Sequence, residues 1–83
     1  MKDDYFKKAL EIVGDPYTLV NMVWARMRML RTGKRPLVES PEGLAAEDVA
    51  LREIIEGRIT YVFDEIVVLD DITGLRGVVT PTQ

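Results

Sequence analysis

Residues 16–32 put apolar side chains on two sides of one helix, in a chain of only 83 residues. Val20, Val23, Trp24, Met27 and Leu30 recur at helical spacing as one stripe. Leu19, Met22 and Met29 form a second, interrupted by Arg26, and only Thr18, Asn21, Ala25, Arg28 and Thr32 are left between them. A surface helix of a self-sufficient domain needs one apolar face. A domain this small hides only about 60% of the surface its unfolded chain exposes, so this helix is expected to be sandwiched, one side at home and the other against a partner. The alternative is a central helix wrapped by its own neighbours.

The flanking elements follow from local chemistry. A first helix is predicted over residues 4–13, where Tyr5, Ala9, Ile12 and Val13 recur at helical spacing and Gly14 supplies a stop. Asp15 and Pro16 then form a start signal, a carboxylate to cap orphan N–H groups followed by a ring that needs none. The second helix is predicted over 16–32, ended by Gly33. A loop with Pro36, Pro41 and Gly43 leads to a third helix over 45–56, with Glu47 and Asp48 in its first turn and Gly57 after it. Residues 59–69 fit both periods: Ile59, Tyr61 and Phe63 alternate, whereas Ile59, Val62, Phe63, Ile66 and Val67 suit a helix. Their β-branched content favours a strand or loose hairpin, although Asp64-Glu65 is a poor two-residue turn. The tail, with Gly74, Gly77 and Pro81, is expected to be irregular. The fold class is thus mainly α, a compact bundle of about three helices with an extended or hairpin-like segment after it. Residues 1–69 form one domain and 70–83 a tail.

Composition narrows the function. The chain has no cysteine and no histidine, which removes disulfides, thiolate chemistry, Cys/His zinc sites and imidazole catalysis together. Four acidic pairs remain, Asp3-Asp4, Glu47-Asp48, Asp64-Glu65 and Asp70-Asp71. Two carboxylates can hold a magnesium ion or act as acid and base, but none of these comes with a phosphate loop, a nucleophile motif or a basic partner. No catalytic residue, metal ligand or cofactor is therefore assigned. Met1-Lys2-Asp3-Asp4 has no apolar signal core and no run approaches a membrane span, so a soluble, cytoplasmic protein is expected.

Arg26, Arg28, Arg31, Lys34 and Arg35 form an acid-free basic run. Laid along phosphates it would bind nucleic acid. Its apolar interleaving with Val23, Trp24 and Met27, and a net charge of −3, favour arginines that pair with carboxylates, internal or on a partner.

Several segments in order resemble the omega subunit family of bacterial RNA polymerase. Gly14-Asp15-Pro16-Tyr17 is similar to that family's helix start. Leu19-Val20 and Ala25-Arg26-Met27-Arg28-Met29-Leu30 are similar to its long helix with an Ala-Arg-x-Arg core. Gly33 and Pro36-Leu37-Val38 resemble its glycine and Pro-Leu-Val loop, and Ala50-Leu51-Arg52-Glu53-Ile54 with Glu56-Gly57-Arg58-Ile59 resembles its most recognisable signature. The resemblance covers about half the chain. It implies a non-catalytic accessory subunit that clasps the β′ subunit and promotes assembly and stability of the core enzyme. It also implies that Arg26, Arg28 and Arg52 contact carboxylates or carbonyls of β′. Leu19, Val23, Met27, Leu30, Leu37, Leu51 and Ile54 would supply apolar contact or core.

Three departures stand out. Asp15-Pro16 replaces that family's asparagine and basic residue. Some family members bind the alarmone ppGpp through an N-terminal Met-Ala-Arg motif, which Asp3 and Asp4 replace here, so that contact is expected to be absent. The segment after Ile59 is apolar and β-branched where many members carry a charged helical tail. No direct contact with nucleic acid or membrane is expected. A free-standing helical adaptor for another protein, or a small nucleic-acid-binding regulator using Arg26 to Arg35, are the competing readings.

Overall fold

The computed structural model describes residues 1–39 and 41–69. Three helices come first, α1 (Asp3–Val13), α2 (Pro16–Arg31) and α3 (Ala46–Ile55), followed by strands β1 (Ile59–Val62) and β2 (Glu65–Val68). The expected trio of helices and hairpin-like segment is therefore present, and the expected tail lies outside the described residues.

The start of α2 and the ends of α2 and α3 fall where nearby residues satisfy orphan backbone groups. At the start of α2, Asp15 Oδ2 accepts the Thr18 N–H at 2.9 Å and the Thr18 hydroxyl at 2.7 Å, with Pro16 in the first turn. At its end, Gly33 adopts φ 101°, which lets the Lys34 N–H donate back to the Met29 carbonyl at 3.1 Å and its own N–H to Leu30. Gly57, at φ 74°, repeats this after α3: Arg58 N–H reaches the Glu53 carbonyl at 2.8 Å and Gly57 N–H reaches Ile54. Both are the paired C-terminal bonds that a left-handed residue permits, and a side chain at either glycine would strain them. The start of α3 has no side-chain cap at Ala45; Glu47 and Asp48 in its first turn complement the helix dipole instead.

α3 packs against both α1 and α2, so it is the element around which the other helices close. Ala9, Leu19, Met22, Val23, Ala50, Leu51, Ile54 and Ile59 make up the buried core. Ala9 and Ala50 are fully excluded from solvent, small side chains that let α1 and α3 approach closely. The N-terminal strap is tied in by the Lys2 N–H, which donates to Asp48 Oδ1 at 2.7 Å.

The hairpin rests on α2 through β2 and on α3 through β1. Its antiparallel register pairs Ile59 with Val68, Thr60 with Val67, Tyr61 with Ile66 and Val62 with Glu65. The turn is therefore Phe63-Asp64, one residue earlier than the Asp64-Glu65 pair weighed from sequence. Both turn residues have positive φ, 50° and 64°, the backbone of a primed turn that glycine, asparagine and aspartate enter easily. Aspartate suits it; a phenylalanine there is strained. The strain persists because Val67 and Ile59, which fix the register, are buried while Phe63 is 96% exposed.

Two outcomes follow from this local chemistry. Phe63→Asn removes no buried surface and relieves a left-handed aromatic, so it should stabilise the chain by about 1 kcal/mol, seen as a raised midpoint in urea with an unchanged slope. Asp15 is held below the ordinary aspartate value of 3.8, first by the Thr18 hydroxyl and then by the Thr18 N–H. A carboxyl lowered in the folded state adds stability above its unfolded value and loses it as the pH falls through the folded one. Asp15→Asn should therefore remove part of the stability loss below pH 3.8 while retaining the cap at neutral pH, whereas Asp15→Ala should lower the melting temperature at neutral pH.

Candidate functional site

Two features of α2 set the candidate site: a charged side chain locked inside the molecule, and an outward face with no cover among the described residues. The first is Arg26, 1% exposed, paired with Glu53 of α3, which is fully buried. Arg26 Nε donates to Glu53 Oε1 at 2.6 Å and Nη2 donates to Oε2 at 3.0 Å, the two-pronged geometry that a planar guanidinium offers a carboxylate. The remaining valences are also used. Nη2 donates to the Arg35 carbonyl at 3.2 Å, and the Leu37 N–H donates to Glu53 Oε2 at 2.9 Å. One ion pair thus fastens α2, α3 and the segment between them.

Arg26, expected to contact a partner, makes this internal pair in the free chain. Leu19, Val23, Leu51 and Ile54 likewise lie in the core of the free chain. Met27, Leu30 and Leu37 are half-buried at its margin. Arg52 is half-buried on α3, where Nη2 donates to Glu56 Oε2 at 3.0 Å and Nη1 reaches the Glu39 carbonyl at 3.4 Å. Arg28 is exposed. Of the ten residues proposed for partner contact, those five therefore keep access to the surface.

Apart from Arg28, the outward face of α2 is built from residues missing from that set. Tyr17, Val20, Trp24, Arg28 and Arg31 are spaced by three, four or seven positions, and all are exposed. Tyr17 is 82% and Trp24 54% accessible, large values for aromatic rings. Trp24 was grouped with Val23 and Met27 as one stripe, but the helix divides them: Val23 turns to the core and Trp24 to solvent. The signal was available in the charges. Arg26 interrupts the stripe of Leu19, Met22 and Met29, and Glu53 stands between Leu51 and Ile54; a buried pair there fixes the rotation of both helices.

The C-terminal end of this face is cationic. Arg28, Arg31, Lys34 and Arg35 are all exposed, and their side chains make no ion pair among the described residues. Beside them Leu30, Lys34, Pro36, Leu44 and Val49 border an open depression of about 340 Å³. A second depression of about 390 Å³, between Met22, Ile54 and Tyr61, has no charged side chain among its described lining residues. Among the described residues no group of three or more acidic side chains is placed to hold a metal ion, and no helix is long and apolar enough to cross a membrane.

With this geometry in hand, comparison with known proteins is decisive. The RNA polymerase Rpb6 family profile matches residues 8–61, from α1 through α2 and α3 into β1. The chain belongs to the RNA polymerase Rpb6 family. It is 43% identical over 54 residues to the DNA-directed RNA polymerase subunit omega of Helicobacter pylori strain P12, covering 63% of this chain and 73% of that one. Against the subunit of the same name from Clostridium botulinum strain Hall it is 44% identical over 52 residues, covering 63% and 71%. No solved structure matches significantly. The family match includes both members of the Arg26–Glu53 pair and the whole of the outward α2 face, and it ends before the hairpin turn.

The ion pair gives a sharp test. Arg26→Ala leaves Glu53 buried without its cation, and Glu53→Ala strands Arg26 in the same way. Each should cost roughly 3–5 kcal/mol, enough to unfold much of a small domain, as read by far-ultraviolet circular dichroism and urea titration. The double replacement Arg26→Leu with Glu53→Leu should cost clearly less than the two single changes summed.

Proposed function

We propose that this chain is an accessory subunit of a bacterial DNA-directed RNA polymerase, without chemistry of its own, that binds the β′ subunit and promotes assembly and stability of the core enzyme. The match to the Rpb6 family across all three helices carries the reading, joined by the name shared by its relatives. The fold supports it: the buried pair holds α2 in one rotation, and that rotation turns two aromatic rings and the cations Arg28 and Arg31 outward, with Lys34 and Arg35 exposed just beyond the helix, in a chain whose net charge is −3. Rigid presentation of large side chains on a helix suits binding, since less conformational freedom is lost when the partner arrives. On this reading Met27, Arg28, Leu30, Leu37 and Arg52 contact β′, while Leu19, Val23, Arg26, Leu51 and Ile54 act indirectly by shaping the surface. The polymerase would place the chain in the bacterial cytoplasm.

Affinity-tagged chain drawn from its own host at moderate salt should bring down β and β′ in near-stoichiometric amounts, identified by mass spectrometry. Recovery of neither would refute the proposal. Arg52→Ala then separates binding from folding. The surface pair it forms with Glu56 is worth about 0.3–0.5 kcal/mol, so the melting temperature should barely move while the yield of β′ falls. Val23→Asp is a poor probe, because Val23 is core and its replacement removes the fold along with any surface.

A further inference from the structure

We propose that the chain, when free of the polymerase, pairs with a second copy of itself, β1 against β1 across a two-fold axis, and that Phe63 of each copy seats in the apolar depression of the other. This goes beyond the proposed function and does not depend on it.

The ladder of the hairpin shows which backbone groups are free. Val62 and Glu65 flank the two-residue turn, Thr60 faces Val67, and the Leu69 N–H donates to the Arg58 carbonyl at 2.8 Å. Residues 58, 60 and 62 therefore direct their backbone groups to the second strand. In an antiparallel pair the alternate residues, Ile59 and Tyr61, point theirs the other way. Neither has a backbone partner there among the described residues. β1 also carries no charge, proline or bulge of the kind that keeps a free edge from pairing.

That edge borders the depression of about 390 Å³. Ile59, Thr60 and Tyr61 all line it, although successive side chains of a strand point to opposite faces. Three consecutive residues border one space when the strand turns its backbone edge towards it. No residue of β2 lines it. Ile12 and Val13 of α1, Met22 of α2 and Ile54 of α3 supply apolar wall.

Symmetry selects the occupant. A two-fold pairing centred on Thr60 sets Ile59 opposite Tyr61 of the copy, and Tyr61 opposite its Ile59, so every outward N–H of these residues meets an outward carbonyl. A shift by two residues either way leaves one of them facing a residue outside β1. Thr60 then meets its own copy, and facing threonines are a favourable cross-strand pair. The same register brings Phe63 of the copy level with Gly57, since both stand three residues from Thr60. Gly57 lines the depression, and nothing lies within 4 Å of where a Cβ of that residue would stand. Phe63 is exposed and held at φ 50°, a strained backbone for an aromatic. Seating its ring in the copy gives that placement a function. A strand from another protein could pair with this edge, but it would need an apolar side chain at the level of Gly57, and the second copy already carries one.

A four-residue strand makes a small contact, so the dimer should be weak, half formed on the order of 100 µM chain. Sedimentation velocity at rising concentration should show that equilibrium. Phe63→Asn should weaken it about tenfold or more, while raising the urea midpoint of dilute chain. Ile12→Glu, at an exposed position on the depression, should weaken it similarly with circular dichroism unchanged. Mixing the two variants restores one of the two contacts, because Phe63 of the Ile12→Glu chain meets the intact depression of the Phe63→Asn chain. Their heterodimer should therefore be tighter than either variant's own dimer, a gain that damaged folding does not produce. A native chain still monomeric at about 1 mM overturns the proposal. Protection of the Tyr61 amide from exchange only on adding β′ would then give the edge to the polymerase, and protection already present in the monomer would give it to residues 70–83. A dimer insensitive to both variants, no gain on mixing, or loss of the dimer in Trp24→Ala instead also overturns it, in favour of another face. Capture of β′ from the host is a separate readout, so the polymerase reading stands or falls on its own.

Discussion

The buried pair of Arg26 and Glu53 is the constraint on which the rest of this molecule depends. Two charges out of water are costly unless their geometry is good and their remaining valences are satisfied. Here the fork of Arg26 meets both oxygens of Glu53, and the leftover capacity goes to the Arg35 carbonyl and the Leu37 N–H. The pair adds little net stability over a well-packed apolar alternative; its effect is to penalise every other arrangement. A small rotation of α2 or a slip of α3 would leave a charge buried and alone. The segment between α2 and α3 is fixed by the same atoms, so a stretch rich in proline and glycine is held at Leu37 without secondary structure of its own.

That rotation decides what the surface offers. Once Arg26 points inward, Leu19, Met22 and Val23 enter the core with it, and Tyr17, Val20, Trp24, Arg28 and Arg31 are left outside. The apparent excess of apolar surface on α2 is therefore divided between a side that closes the domain and a side that faces out. Large aromatic rings exposed along one helix face gain by being covered. The proposed binding role rests on the same interaction that fixes the rotation of α2.

The hairpin is a different kind of element. Its register depends on burial of Ile59 and Val67, and the turn is forced onto Phe63-Asp64 even though phenylalanine resists a left-handed backbone. Packing at one end of two short strands outweighs local preference at the other. The family match ends at residue 61, within β1.

Much was legible from the sequence because much of it is local. Asp15-Pro16 sets the start of α2, Gly33 and Gly57 set the ends of two helices, and each boundary lies within a residue or two of its expected place, since capping bonds link neighbours in the chain. The absence of histidine and cysteine was likewise enough to remove whole classes of chemistry. What the sequence left open was every choice between distant residues. Arg26 could meet a partner or an internal carboxylate; residues 59–69 could pair as strands or coil; Val23 and Trp24, adjacent in one apolar stripe, could both be core. The first and last of those choices turn on whether Glu53, 27 positions away from Arg26, is brought within hydrogen-bond reach. Local propensity sees a few residues at a time, whereas the cost of a buried charge is settled only when the whole chain has closed around it.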